Sequence, residues 1–151
     1  MPEPRRDLLS GVGDPDDTGE ADPTLTAALA AYAEDPAREP DVLTALGAAR
    51  LLVPVVAVLG EAETDERGLV HDKSADMATV LMQGADGRLA LLAFTGLDTM
   101  HRWDLDARPV AVPAQVAAQA ALQDGAAALL LDVAGPVTFV STLSRAGAPP
   151  P

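Results

Sequence analysis

Hydrophobic residues along this chain fall into short blocks separated by polar, Gly- and Pro-containing stretches. The strongest block runs from Arg50 to Leu59 and is apolar at nearly every position, with valine as its commonest residue. A strand exposed on one face would alternate apolar and polar residues, so this run predicts a strand buried on both faces. Pro54 lacks an N–H for the ladder, which predicts a position near a sheet edge or in a bulge.

Two later blocks predict an antiparallel hairpin. Ala78–Gln83 and Arg88–Phe94 are rich in apolar residues and are separated by a Gly-Ala-Asp-Gly tetrad at residues 84–87. Two such runs joined by a short Gly/Asp-rich turn are typical of a hairpin. The tetrad leads into a strand and lacks the lysine of a phosphate-binding loop, so it is interpreted as a turn.

A strand–helix–strand unit is predicted in the second half of the chain. Residues 113–124 have a helical pattern ended by Gly125, with small residues on one side and glutamines at every fourth position on the other. Short apolar segments flank this helix at residues 110–112 and 128–132. This spacing predicts a right-handed crossover and a parallel pair, and residues 137–140 are expected to end the sheet.

Three further helices are predicted before and between the strands. The first begins at Pro23 with Asp22 as its N-cap, because proline is tolerated at the first helical position. The second covers residues 40–50 and the third covers residues 97–103. The residues expected to face inward from the first two helices are Leu25, Ala28, Leu29, Tyr32, Val42, Leu43, Leu46 and Ala49.

These elements predict an α/β fold: a single domain with a mixed sheet of about five strands flanked by helices. The domain is expected to cover residues 23–144. Residues 1–22 are expected to be a disordered acidic arm, because the stretch around residues 14–20 has no apolar side chain to offset the entropy of ordering it. Residues 145–151 form a Pro/Ala-rich tail.

Composition excludes several classes of function. The chain has 151 residues and a net charge of −13, which repels the phosphates of nucleic acids and anionic membrane surfaces. It has no cysteine, which excludes disulfides and thiolate metal sites. The amino terminus has no apolar core of a signal peptide, and no apolar run approaches the ~20 residues that span a bilayer. A cytoplasmic protein is therefore expected.

The segment before the hairpin holds the chemically suggestive residues. His71, Asp72, Ser74 and Asp76 include the residue types of a hydrolase triad, but neighbours on an extended segment alternate faces and diverge. The acids around them lack the spacing of a calcium loop, which favours a solvated acidic loop over a cation site. No catalytic residue, metal site or cofactor is predicted.

Three other residues are candidates for a functional role. Lys73 is the only lysine in the chain; it could be a desolvated nucleophile, but a solvated ion pair is preferred. His101 lacks the His or Cys partner spacing of a metal ligand. Trp103 could anchor a partner, yet a core position is preferred because large apolar residues are scarce in this sequence.

Four segments are distinctive when taken in order: Arg50–Val55, Asp72–Ala78, Ala93–Thr95 followed by Trp103, and Leu131–Pro136. Together they resemble the SseB amino-terminal domain family in its actinobacterial form, and the resemblance covers about residues 24–143. It implies a small α/β domain in a bacterial cytosol, and it implies no assigned reaction, cofactor or catalytic residue.

The function expected from the sequence is a non-enzymatic protein-interaction module. Its partner is an unidentified protein, with a second copy of the chain as one option, and neither nucleic acid nor membrane is expected. The alternative is an enzyme or binding domain for a small polar or cationic metabolite, with a pocket near Asp72–Asp76 and Phe94–Trp103. The predicted interaction patch consists of Lys73, Asp76, Phe94, Thr95 and Trp103.

Overall fold

A computed structural model describes residues 13–57 and 77–143 of the chain. The helices are α1 (Pro23–Glu34), α2 (Glu39–Gly47), α3 (Leu97–Trp103) and α4 (Ala114–Gln123), with a 3-10 turn over Pro36–Arg38. The strands are β1 (Arg50–Ala57), β2 (Met77–Thr79), β3 (Leu81–Gln83), β4 (Leu89–Ala93), β5 (Arg108–Pro113), β6 (Ala128–Leu131) and β7 (Phe139–Thr142).

The described strands form two sheets that a β-bridge links. Their orders are β2-β1-β5 and β3-β4-β6-β7. Leu52 of β1 and Phe94, just after β4, exchange two backbone hydrogen bonds of 2.8 Å and so join the sheets. The predicted single-domain α/β class is confirmed. Its strands, however, are arranged as two linked sheets instead of one sheet of about five strands.

The predicted hairpin is confirmed, but its first run divides at Val80. β3 pairs antiparallel with β4, as predicted, whereas β2 pairs antiparallel with β1. The chain therefore passes from one sheet to the other at Val80, whose carbonyl accepts a hydrogen bond of 3.0 Å from the Leu92 N–H.

Pro54 lies in the middle strand of its sheet, so the prediction of a near-edge position is wrong. Leu52 directs its backbone groups toward Phe94, and by alternation Pro54 faces the same side, away from β5. Its partner across that ladder is Pro109, which also has no N–H to donate. The missing donor falls between the bridge to Phe94 and the first β2 pair at Val55. The ladder consequently loses no hydrogen bond.

The predicted parallel pair exists, but with a different partner. β6 runs parallel to β4, with Leu91 opposite Leu129, whereas β5 pairs antiparallel with β1. α4 is confirmed, and Gly125 follows it at a positive φ of 86°. The crossover therefore carries the chain from the outer strand of one sheet to the interior of the other.

Two apolar clusters cover opposite faces of the strands. Odd-numbered residues such as Leu51 and Leu91 pack with α1, α2 and α4. Even-numbered residues such as Leu52 and Leu92 pack with Met100 of α3. This alternation explains why the β1 run is apolar on both faces. Leu43, predicted to face inward, is instead 43% exposed.

Residues 13–22 of the predicted arm lie against the domain. The Asp14 N–H donates a hydrogen bond of 3.0 Å to the Ala111 carbonyl on the outer edge of β5. The Gly19 carbonyl accepts a hydrogen bond of 2.8 Å from the Leu97 N–H. Hydrogen bonds, more than apolar burial, hold this part of the arm. The rest of the arm, residues 1–12, and the predicted tail lie outside the described residues.

No helix within residues 13–57 and 77–143 has the length and apolar character needed to cross a membrane.

The N-cap of α1 gives a first testable prediction. The Asp22 carboxylate accepts hydrogen bonds from the N–H groups of Thr24 and Leu25. Asp22→Ala is expected to lower the free energy of unfolding by about 1 kcal/mol, since two orphan donors lose their acceptor. Urea denaturation followed by circular dichroism measures this. Glu34→Ala, an exposed acid at the other end of α1, is the control and should cost less; an equal loss would contradict the capping role.

Candidate functional site

The parallel pair β4 and β6 brings two polar residues together at its carboxyl ends. Thr95 comes two residues after β4, and Asp132 follows β6 directly. In open α/β sheets, ligands bind beyond the carboxyl ends of parallel strands, where neighbouring loops separate. This edge of the sheet is therefore the candidate ligand-binding site.

Asp132 is the centre of a buried hydrogen-bond network, which we call the Asp132 network. Its side chain is almost fully buried, and its carboxylate accepts three hydrogen bonds. The donors are the Thr95 N–H at 2.8 Å, the Thr95 Oγ1 at 2.8 Å and the Thr99 Oγ1 at 2.9 Å. These bonds tie the end of β6 to the end of β4 and to α3.

The backbone of Asp132 is held as firmly as its side chain. Asp132 has a φ of 56°, in the left-handed region that asparagine and aspartate tolerate best among residues other than glycine. Its N–H donates to the Ala93 carbonyl at 3.0 Å. Its own carbonyl accepts from the Gly135 N–H at 2.9 Å and the Thr138 Oγ1 at 3.1 Å. The turn after β6 is therefore organised around this one residue.

Arg50 connects the Asp132 network to the arm. Its Nη1 donates to the Thr95 carbonyl at 2.8 Å, and its Nε donates to the Asp17 carboxylate at 2.6 Å. Its Nη2 donates to the Glu20 carbonyl. The side chains of Arg50 and Asp17 are 24% and 16% exposed. The guanidinium thus donates three hydrogen bonds, one to the Asp132 network and two to the arm.

The side chains of the Asp132 network are used in hydrogen bonds to one another. Both threonine hydroxyls donate to the Asp132 carboxylate. In the part of the chain that the structure describes, no three His, Asp or Glu side chains gather as metal ligands do.

The structure brings together three of the five residues of the predicted patch. Phe94 is fully buried, and Thr95 is buried in the Asp132 network. The rings of Phe94 and Trp103 lie 5.6 Å apart between centroids, at an interplanar angle of 30°. Lys73 and Asp76 lie outside the described residues. Of the three that are described, Trp103 alone retains partial exposure.

An exposed leucine follows Trp103 in the chain. Leu105, two residues further on, is 76% exposed, the highest value among the large apolar residues that the structure describes. His101 and Arg102, next to Trp103 on α3, are also exposed. We call Trp103 and Leu105, with the polar residues His101 and Arg102 beside them, the Trp103 surface.

The pocket was expected near Asp72–Asp76 and Phe94–Trp103, and the first of these segments lies outside the described residues. An open, acidic depression of about 480 Å³ lies along the arm, next to Arg50, and residues 94–103 do not line it. Arg50 already donates to the Asp17 carboxylate and to the Glu20 carbonyl at this depression. Its lining residues are Asp16, Asp17, Thr18, Glu20, Ala21, Asp22, Pro23 and Arg50.

Sequence reasoning did not assign roles to Asp132, Thr99 or Arg50. One signal was present: Asp132 comes directly after a buried apolar run, and Thr95 does the same after β4. Arg50 likewise comes directly before the longest apolar run. A polar residue at the limit of a buried strand has its backbone fixed, which makes it a suitable element of a hydrogen-bond network.

Comparison of the sequence with known proteins identifies its family. Neither the curated proteins nor the solved structures include a match to this chain. The sequence model of the SseB protein N-terminal domain matches residues 25–142, which is more than half of the chain. The match includes β1 to β7, α3 and the whole Asp132 network. The chain therefore belongs to the SseB protein N-terminal domain family.

Proposed function

We propose that this domain is a non-enzymatic protein-interaction module that acts in the bacterial cytosol. The observation that supports this most directly is the exposure of Leu105, two residues after the partly exposed Trp103. Burial of leucine and tryptophan side chains against a partner favours binding, because it removes apolar surface from water. Tryptophan is also among the residues that dominate binding interfaces. The Trp103 surface is therefore the proposed contact with the partner.

Phe94 and Thr95 contribute to this surface from below. Phe94 packs against the Trp103 ring and is itself fixed by its two hydrogen bonds to Leu52. Thr95 is fixed by Asp132. A ring that is held in place before binding loses less conformational freedom when the partner arrives, which favours affinity. The predicted patch thus has a supporting part and an exposed part.

Charge favours a different protein over a second copy as the partner. Two copies that each carry a net charge of −13 repel one another at long range. The exposed Arg102 beside Trp103 instead suits an acidic group on the rim of another protein's interface. Salt screens this repulsion, so any self-association through this surface should strengthen as the ionic strength rises.

Leu105→Glu tests the Trp103 surface. Capture of the partner from native lysate by the immobilised chain is expected to fall at least about tenfold, since a buried, unpaired carboxylate costs several kcal/mol. The unfolding midpoint should change little because Leu105 is exposed. Bound proteins are quantified by mass spectrometry. The matched control is Leu43→Glu, which changes an exposed leucine of α2 and should leave capture unchanged.

Further results test the proposal. In the same experiment, Lys73→Glu tests a residue of the predicted patch that lies outside the described residues. If no protein is captured by any of the chains, or if Leu43→Glu loses capture as fully as Leu105→Glu, the Trp103 surface is not the interaction site. A metabolite that raises the unfolding midpoint of the wild-type chain by several degrees would favour the alternative function.

A further inference from the structure

Residues 13–22 cross the domain as a peptide seated in a groove. Three points on the domain hold it: the Ala111 carbonyl, the Leu97 N–H and the Arg50 guanidinium. Asp17 and Gly19 supply two of the groups that are recognised. The domain thus binds this peptide through the peptide's backbone groups and through one carboxylate.

Two glycines make this contact close. Gly19 has a φ of 86°, and a Cβ built on it would lie 2.4 Å from the Leu97 Cδ1. On the domain side, a Cβ on Gly96 would lie 3.0 Å from both the Ala21 nitrogen and the Gly19 carbonyl oxygen. A side chain at Gly19 strains the backbone and collides with Leu97, and one at Gly96 requires the backbone of the arm to shift. The groove therefore selects glycine at one position of the peptide.

The Asp17 side chain adds a second selective element. Its Oδ1 accepts a hydrogen bond of 2.7 Å from the Gly19 N–H, and its Oδ2 accepts from the Arg50 Nε. One carboxylate thus shapes the turn of the peptide and binds the cation of the groove. A peptide with the pattern Asp-x-Gly satisfies both contacts.

We propose that this groove is a docking site for an extended Asp-x-Gly peptide of a partner protein, and that the arm is its resident occupant. The arm is held by hydrogen bonds and by the contact of Gly19 with Leu97, and most of its charged residues are exposed. Residues 13–22 belong to neither apolar cluster, so undocking uncovers partly buried residues such as Leu97 and leaves both clusters packed. Asp22 caps α1 through its own side chain and is expected to keep that role after undocking. This groove involves none of the residues of the Trp103 surface, so either proposal can fail without the other.

The arm sets the affinity that a partner must have. A tethered segment acts at an effective concentration in the millimolar range, so a free peptide of equal intrinsic affinity binds the intact chain only weakly. The same argument disfavours a second copy as the occupant, since it would offer an identical arm at a far lower concentration. A separate partner must bind more tightly, or it must meet a chain whose arm has been released.

The test uses the full chain and a synthetic probe. Gly19→Ala displaces the arm and leaves the groove intact, whereas Gly96→Ala obstructs the groove itself without backbone strain, since Gly96 has an extended φ of −160°. Gly87→Ala is the matched control: its φ is 84°, but its surroundings are open and it lies in the hairpin turn. The probe is the blocked peptide of residues 13–22 with a fluorescent label, and binding is measured by anisotropy.

The Gly19→Ala chain is expected to bind the probe at least about tenfold more tightly than the wild-type and Gly87→Ala chains do. The Gly96→Ala chain should not bind it. Hydrogen exchange at the Leu97 amide should become faster in both Gly19→Ala and Gly96→Ala, which would show that the arm has left. Equal binding by Gly19→Ala and wild type, or tight binding by Gly96→Ala, would overturn the proposal. Wild-type dimers that form by exchange of arms would also overturn it, in favour of a second copy.

Discussion

Asp132→Ala is expected to lower the free energy of unfolding by about 3 kcal/mol, among the largest effects of any polar substitution in this domain. The change removes the acceptor of three hydrogen bonds, and it leaves the Thr95 N–H buried without a partner. It also places alanine at a φ of 56°, which costs about 1 kcal/mol more than aspartate does there. Urea denaturation followed by circular dichroism measures the loss.

Asp132→Asn separates these causes. Asparagine tolerates the left-handed backbone and keeps one acceptor oxygen, and a threonine hydroxyl can rotate to accept from its new amide, so a loss of about 1 kcal/mol is expected. Asp106→Ala, on an exposed turn, is the matched control and should change stability by less than about 0.5 kcal/mol. If the Asp132→Ala loss is no larger than that of Asp106→Ala, the Asp132 network does not stabilise the fold.

The helices of this domain could be predicted because their signals are local. Asp22 and Pro23 define the start of α1 through contacts within one turn, and Gly125 defines the end of α4 in the same way. Leu43 shows the limit of this reasoning. It has a suitable position in the helical repeat, but whether another element covers it depends on the tertiary fold.

The sheet could be predicted as a set of strands but not as a pairing. β6 could pair parallel with either β5 or β4, since both are short and apolar, and proximity along the chain favours β5 although the fold uses β4. Pro54 is similarly misleading. A missing N–H interrupts a ladder only where a neighbouring strand would accept from it. On this side of β1 the neighbour changes at Pro54, from the residue after β4 to β2, so no acceptor is left without a donor.

The site could be predicted only in part for the same reason. Phe94, Thr95 and Trp103 are close in sequence, so their grouping required only a strand followed by a short helix. The partner of Thr95 is 37 residues away, and its position depends on which strand β6 joins. The seating of residues 13–22 could not be predicted because composition records how much apolar surface a segment can bury, and this segment is held through backbone groups and Arg50.

Phe94→Ala is expected to lower the free energy of unfolding by about 3–5 kcal/mol, a loss at least as large as that expected for Asp132→Ala. The side chain is fully buried between Leu52, Met100 and the other members of its cluster, and its removal leaves a cavity. The same change removes the ring that packs on Trp103. Because Trp103 is the only tryptophan of the chain, its fluorescence reports this loss directly. The emission maximum of the native state should shift to longer wavelength as water reaches the indole.

Phe139→Ala separates the two effects. Phe139 is also buried, but it packs edge-on against Tyr32, at 5.1 Å between ring centroids, in the cluster on the opposite face of the sheet. Its loss should cost a similar free energy by the same cavity argument and leave the native emission of Trp103 unchanged. A shift of equal size in both variants would mean that Trp103 responds to general loosening of the domain. A shift in Phe94→Ala alone would show that Phe94 holds the indole in place, and such a variant should then capture the partner more weakly than its loss of stability explains.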